Sequence, residues 1–357
     1  MRGVRIHDRQ DLRLESVPRP HPGSVEVVLR ITGAGICGTD ATLYKLGRAV
    51  VPPGTQPAWP VVLGHEFAGE VVEVGERVER LQVGELVACG AGISCGECHA
   101  CRAGRTNLCA QYATAGVHRD GGLAEYCVVP AAICEPVAAY GVRGDAAALS
   151  QPMAVAEHAV SVAGLDEGER ALVLGAGGIG AFAIWAAVCR GAQVTVFERD
   201  PARLEVANRL GAVDTIAADP EAPARDQLAR FEEFDVVYEM TGGQDPLDAA
   251  VARVRPGGRV AVVGIHGKPR TVNLDRVTTQ EIAMFGTMAH VRSVDLPRAL
   301  DLLGRRREGW SDFAPVVQPL SAVIGESGPV FTPADAGGLP PIKTLVDPSA
   351  TEPRQFH

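Results

Sequence analysis

The sequence predicts an α/β protein in two parts, a mainly-β half followed by a doubly wound parallel-sheet half. Three observations predict it. Residues 1 to about 150 are short β-branched runs punctuated by glycine. From about 152, strand-like and helix-like runs alternate. Where that alternation begins, a glycine turn joins a strand to an apolar helix. A chain of 357 residues can bury a core in each of two such parts.

In the first part, "VEVVLRITGAGIC" (25–37), "AGEVVEVGERV" (68–78) and "GELVACGAG" (84–92) read as strands of a mainly antiparallel barrel or sandwich. "AVAEHAVSVAGL" (154–165) has helical spacing. Then come strand, glycine turn, apolar helix and strand over 170–200. "FDVVYEMTGG" (234–243), "PGGRVAVVGI" (256–265) and "EIAMFGTM" (281–288) are further buried strands. "DPARLEVANRLGA" (200–212) and "PLDAAVARVR" (246–255) separate them as helices, which implies a parallel sheet covered on both faces. "DLPRALDLLGRRR" reads as an amphipathic helix, and "PIKTLVDPS" (341–349) as a strand returning to the first part. The expected division is 1–151, 152–292 and a C-terminal return, 293–357.

The balance of 43 acids against 34 bases, a net charge of -9, argues against a nucleic-acid surface. The one basic run, "GRRREGW" (304–310), reads as a solvated helix end. No apolar stretch of about 18 residues lacks charges or breakers, so no membrane span is expected. The N-terminus "MRGVRIHDRQ" has no apolar signal core, and the expected location is the cytoplasm. Nine cysteines, an odd number, speak against a disulfide framework.

"LGAGGIG" supplies Gly175, Gly177 and Gly180 as G-x-G-x-x-G, with Gly178 and Ile179 inside the turn. It follows the strand "RALVL", opens the helix "GAFAIWAAVCR" and precedes a strand ending in Glu198, the context of a dinucleotide site. The pyrophosphate would sit at the helix N-terminus. Glu198 stands where an acid accepts hydrogen bonds from the adenosine ribose and repels a 2′-phosphate, which favours NAD. Arg199 beside it keeps NADP as the alternative.

Two groups of residues suit a metal. "CGECHACRAGRTNLC" (95–109) offers Cys95, Cys98, Cys101 and Cys109. "GICGTD" (35–40) and "LGHEFAG" (63–69) offer Cys37, His65 and Glu66, with Gln151 in "ALSQPMAV" (148–155) as a distant fourth. A catalytic zinc needs about three protein ligands and an open position, and this second set can supply them.

These strings, in this order, resemble the zinc-dependent medium-chain dehydrogenases, specifically the branch of sorbitol, butanediol, threonine and glucose dehydrogenases. The resemblance covers nearly the whole chain. It implies a GroES-like catalytic domain built from both chain ends, a central Rossmann domain, and an active site in the cleft between them. It implies two zinc ions per chain. Cys37 and His65 match the catalytic ligands, and Glu66 an acid that binds zinc or sits just outside. Gln151 stands where polyol dehydrogenases usually have glutamate. Thr39 matches the hydroxyl that hydrogen-bonds the substrate oxygen, and Asp40 a supporting position. A histidine often follows two residues after that acid; here Thr42 replaces it.

Cys95, Cys98, Cys101 and Cys109 match the structural zinc lobe, a closed S4 site with no room for substrate. His99, among them, is expected to be exposed. The implied activity is hydride transfer between NAD(P) and a secondary alcohol, polyol, cyclitol or sugar hydroxyl. A homodimer or homotetramer is implied, with no nucleic-acid or membrane partner. The rivals are a zinc-free reductase of the same superfamily and a zinc-stabilised NAD-binding protein without turnover. The loop 47–59, with Val50, Val51 and Trp59, is expected to line the substrate pocket. The stretch 325–341 is glycine- and proline-rich where the family has a helix. His158 is expected near the cofactor or in helix packing.

Overall fold

The computed structural model describes residues 1–47, 59–325 and 341–357. Val50 and Val51 of the expected pocket loop, and residues 326–340 of the glycine- and proline-rich stretch, lie outside the described residues. The chain divides into two compact units, Met1–Ala154 with His290–His357, and Val155–Ala289.

In the first unit the strand Glu26–Ile36 organises an eight-stranded sheet. Its β-branched and leucine residues Val27, Val28, Leu29 and Ile31 are buried, as a strand covered on both faces requires. One edge pairs antiparallel with Glu66–Val74. The other edge is shared: Tyr126–Pro130 covers residues 26–30, and Thr344–Asp347 covers Ala34–Ile36. The C-terminal segment therefore returns to complete this sheet, beside the end of the strand that leads into Cys37. A core of Val27, Leu29, Phe67, Val71, Val87 and Leu123 fills the interior.

The tail is tied down by charge. The Arg354 guanidinium donates to both Asp145 oxygens at 2.7 Å and to Asp347 at 3.0 Å, and the His357 amide donates to Asp145 at 2.8 Å. Asp145 belongs to the 3-10 turn Gly144–Leu149, which runs directly into the helix Ser150–Val162 carrying Gln151.

The basic run 304–310 does close a helix at the surface, with Arg305, Arg307 and Glu308 exposed, but one of its arginines turns inward. Past the helix Arg292–Arg305, the Arg306 side chain is 2% exposed and forks onto Asp312 at 2.6 Å through both nitrogens. It also lies 4.9 Å from the Trp310 ring centroid, and these contacts offset its desolvation. Trp59, the described end of the expected pocket loop, packs among the core residues of the first unit.

The second unit is a six-stranded sheet, all parallel. Its order is Asp214–Ala217, Gln193–Glu198, Arg170–Leu174, Phe234–Glu239, Val254–Val262, Ala283–Gly286. Counted along the chain this is 3-2-1-4-5-6, the doubly wound order of dinucleotide-binding sheets. The helix Gly180–Cys189 is apolar nearly all round and buried over most of its length, as a helix packed inside a unit must be. Among the described residues, no helix is long and apolar enough to cross a membrane.

Candidate active site and metal centres

Cys37 ends the strand Glu26–Ile36 and caps the helix Gly38–Leu46. The Asp40 carboxylate, fully buried, accepts the Cys37 backbone N–H at 2.8 Å and so fixes this turn. His65 and Glu66 open the neighbouring strand, and register places Glu66 opposite Gly35. Ligand atoms of Cys37, His65 and Glu66 all lie within 4.8 Å of one another. A Cβ on Gly35 would stand 2.3 Å from Glu66 Oε2, so only glycine leaves room for this carboxylate.

The donor chemistry suits zinc: a thiol, an imidazole and an oxygen, all partly or fully buried. His65 Nδ1 faces Asp40 Oδ1 at 3.7 Å, the carboxylate–histidine arrangement that orients a ligating ring and leaves Nε2 for the metal. Among the described residues both atoms are buried without a hydrogen bond, as is Glu66 Oε1, and orphaned polar atoms gathered beside a thiol and an imidazole fit a metal centre. Without metal, burial disfavours the charged His65 ring, but the Cys37 sulfur and Asp40 carboxylate outweigh it and raise the pKa to about 10. Metal uptake displaces that proton, so it weakens as pH falls.

Gln151 is buried in the first turn of its helix; the 3-10 turn just before it packs on the strands that carry Cys37 and Glu66. Thr39 Oγ1 lies 3.7 Å from Cys37 Sγ. Thr42 is exposed and donates to the Gly38 carbonyl at 2.9 Å, so its hydroxyl serves the helix backbone.

The four-cysteine loop is equally specific. Sγ atoms of Cys95, Cys98, Cys101 and Cys109 lie within 4.8 Å of one another, with Cys95 and Cys109 at 3.5 Å. Four sulfurs at Zn–S distances of about 2.3 Å would stand roughly 3.8 Å apart, so these residues fit the ion. Backbone N–H groups point at the sulfurs, from Cys95 and Gln111 to Cys109 and from Cys98 to Cys95, at 3.3–3.4 Å. Backbone donors at Cys101 and Ala110 lower the Cys98 thiol to about 6, whereas burial pushes Cys101 up to about 11. His99 is exposed. All nine cysteines are free of disulfides.

In the second unit, Gly175 follows the first strand and Gly180 opens the helix. A Cβ on Gly180 would stand 2.0 Å from the Gly175 oxygen, and one on Gly175 would meet Thr241 at 2.8 Å. Gly177, Gly178 and Ile179 form the turn between them, and Gly177 is open to within 3.6 Å of Arg203. Among the described residues no side chain caps the helix N-terminus at Ile179; the Ala181 N–H is taken by the Gly177 carbonyl at 3.0 Å, and the positive end of the helix faces the turn, where an anion is favoured.

Glu198 ends the second strand, buried. It accepts from the backbone N–H groups of Ala176 at 2.7 Å, Arg199 at 2.8 Å and Asp200 at 3.0 Å. Three of its roughly four acceptor sites are thereby used, leaving about one for a ribose hydroxyl. The Arg199 side chain is exposed, and His158 is half-buried on its helix.

Two residues escaped the sequence reading. Arg203 pairs with Asp200 at 3.5 Å and lies 4.0 Å from Glu198, placing its guanidinium over the glycine turn. Its signal was a basic residue one turn into the helix after the acid. Lys343, buried on the returning segment, forms an ion pair with Glu66. Nothing local in "PIKTLV" marks it.

The alcohol dehydrogenase GroES-like domain family matches residues 23–139, and the zinc-binding dehydrogenase family matches residues 178–305. The chain is 41% identical to L-galactonate-5-dehydrogenase of Escherichia coli K12 over 251 residues, 69% of this chain and 71% of that one. It is 34% identical to L-threonine 3-dehydrogenase of Shewanella putrefaciens over 281 residues, 76% of this chain and 80% of that one. Among solved structures, a zinc-binding dehydrogenase from Sinorhizobium meliloti 1021 bound to NADP superposes with TM-score 0.84 at 29% identity, over 97% of this chain and 99% of that one. With this sheet order, glycine turn and pair of ligand clusters, the chain belongs to the zinc-dependent medium-chain alcohol and polyol dehydrogenases, NAD(P)-dependent oxidoreductases of GroES-like and Rossmann architecture.

Proposed function

We propose that this enzyme oxidises a secondary hydroxyl of a polyol or sugar-derived acid, with NAD as the preferred acceptor. The observation that carries the reading is the buried cluster of Cys37, His65 and Glu66. The relatives' names support the substrate class, since L-galactonate and L-threonine are both acids bearing a secondary alcohol.

Cys37, His65 and Gln151 would hold the catalytic zinc, with Glu66 beside them. When bound, zinc supplies the Lewis acidity that lowers the hydroxyl's pKa. Thr39 Oγ1 accepts the hydrogen bond of the reacting hydroxyl and orients it. Thr42, committed to the Gly38 carbonyl, carries no titratable group to continue the relay, so the proton's exit beyond Thr39 does not run through a histidine there. Cys95, Cys98, Cys101 and Cys109 would hold the second zinc and shape their loop.

Gly175, Gly177, Gly178, Ile179 and Gly180 would receive the pyrophosphate. Glu198 would accept from the ribose and repel a 2′-phosphate, while Arg199 and Arg203 oppose that repulsion. We assign catalysis to Met1–Ala154 with His290–His357, and cofactor binding to Val155–Ala289. Nine cysteines, none of them in a disulfide, suit a reducing compartment and support a cytoplasmic location. A homodimer or homotetramer is the proposed assembly.

Initial rates of nicotinamide reduction with NAD and NADP test the reading, over aldonates, polyols, cyclitols, vicinal diols, threonine and simple secondary alcohols. The expected result is turnover of a polyol or aldonate, faster with NAD and abolished by a chelator. Chelator-resistant turnover would overturn it.

A further inference from the structure

Lys343 is an unusual neighbour for a metal site. Its side chain is 4% exposed, and its Nζ forms an ion pair with Oε2 of the fully buried Glu66. Three adjacent strands make the meeting. In the middle one, Gly35 stands opposite Glu66 on one side and Leu345 on the other. Because Gly35 has no side chain, the Glu66 carboxylate can lie over it, and Lys343, just before the strand that carries Leu345, pairs with that carboxylate. Glu66 Oε1 is buried and, among the described residues, accepts no hydrogen bond, so one oxygen belongs to Lys343 and the other has no partner among them.

A carboxylate so placed has two cations to choose between. If it joined the zinc ligands, Lys343 would be left as a buried, uncompensated ammonium, which is strongly disfavoured. The charge of the centre would also be spent: one thiolate and one carboxylate would already cancel the ion's two positive charges. If Glu66 stays with Lys343, the thiolate of Cys37 cancels one charge, and His65 and Gln151 cancel none. One positive charge then remains for the deprotonated hydroxyl of the substrate. From this geometry we infer that Lys343 is a positioning residue that holds Glu66 out of the zinc shell and keeps the fourth ligand position for substrate.

The inference rests on the proposed zinc site but is tested with the metal alone. The purified zinc protein is challenged with a chromophoric chelator, and release of the catalytic-site ion is timed while the four-cysteine site keeps its own. Changes beside a metal's ligands alter affinity by about 10–100-fold. For Lys343→Met the direction is tighter: Glu66, freed of its partner, binds the ion, and release slows by about tenfold or more. Adding Glu66→Gln removes the gain and returns release to the wild-type rate or faster. Lys343→Arg, which keeps the charge, behaves like wild type.

If Lys343 only supported the fold, Lys343→Met would release metal faster. That result, or slow release persisting in Lys343→Met with Glu66→Gln, overturns the inference. Should the methionine variant fail to fold, Lys343→Gln keeps a hydrogen-bond donor without the charge and carries the same predictions. A wild-type protein holding zinc only at the four cysteines would instead refute the proposed catalytic site.

Discussion

Gly180→Ala should separate cofactor binding from the rest of the molecule. The added Cβ would stand 2.0 Å from the Gly175 carbonyl oxygen, about 1 Å closer than packed atoms tolerate. Neither partner can swing away, because one is backbone at the helix start and the other is backbone in the tight turn. Gly175 itself has φ +98°, a conformation other residues rarely adopt, so the turn has little freedom to adjust. Relief must come from prying the helix N-terminus off the strand end, which moves the first-turn N–H groups from the pyrophosphate position.

Overpacking of this kind costs about 1–3 kcal/mol. Expressed wholly in cofactor affinity, that is about a 5–150-fold rise in Kd for NAD. Titration calorimetry with NAD reads the affinity, and a thermal melt reads any share taken as lost stability. Gly267→Ala is the control, since nothing lies within 4 Å of a Cβ there. A Gly180→Ala protein with wild-type Kd and wild-type melting midpoint would show that the turn and helix accommodate the extra methyl freely.

Two further outcomes follow from the first unit. In protein stripped of metal, Cys98 should be alkylated ahead of Cys101: its thiolate forms as pH rises through about 6, that of Cys101 only near 11. Mass spectrometry after brief iodoacetamide treatment at pH 7.5 (roughly the slightly basic range where the two differ most usefully) checks the order, and zinc should protect both. Arg354→Ala should destabilise the first unit by about 2–3 kcal/mol. That is less than a fully buried pair costs because Arg354 is 29% exposed, yet substantial because it strands the buried Asp145. Denaturant unfolding measures it, and an unchanged midpoint would remove the tail's supposed anchor.

What was legible in the sequence had local causes. The four cysteines lie within one loop, so their spacing alone restricts what they can hold. The glycine turn is read from the strand before it and the helix after it. Cys37, His65 and Glu66 were nameable because each sits in a short glycine-flanked string, although only strand register brings them together. Lys343 was not legible, because its meaning comes from the return of a distant strand to the edge beside Gly35. Arg306 was hidden for a related reason: its neighbours Arg305 and Arg307 are solvated as a triple-arginine run suggests, and only the partner Asp312, six residues on, draws Arg306 inward.

The most direct test of the whole account is a pair of measurements on Cys37→Ala: zinc per chain and nicotinamide-linked turnover. The account predicts that one zinc per chain is lost, the four-cysteine zinc is kept, NAD still binds, and turnover vanishes. A variant that loses that zinc and still turns over substrate at the wild-type rate would contradict it.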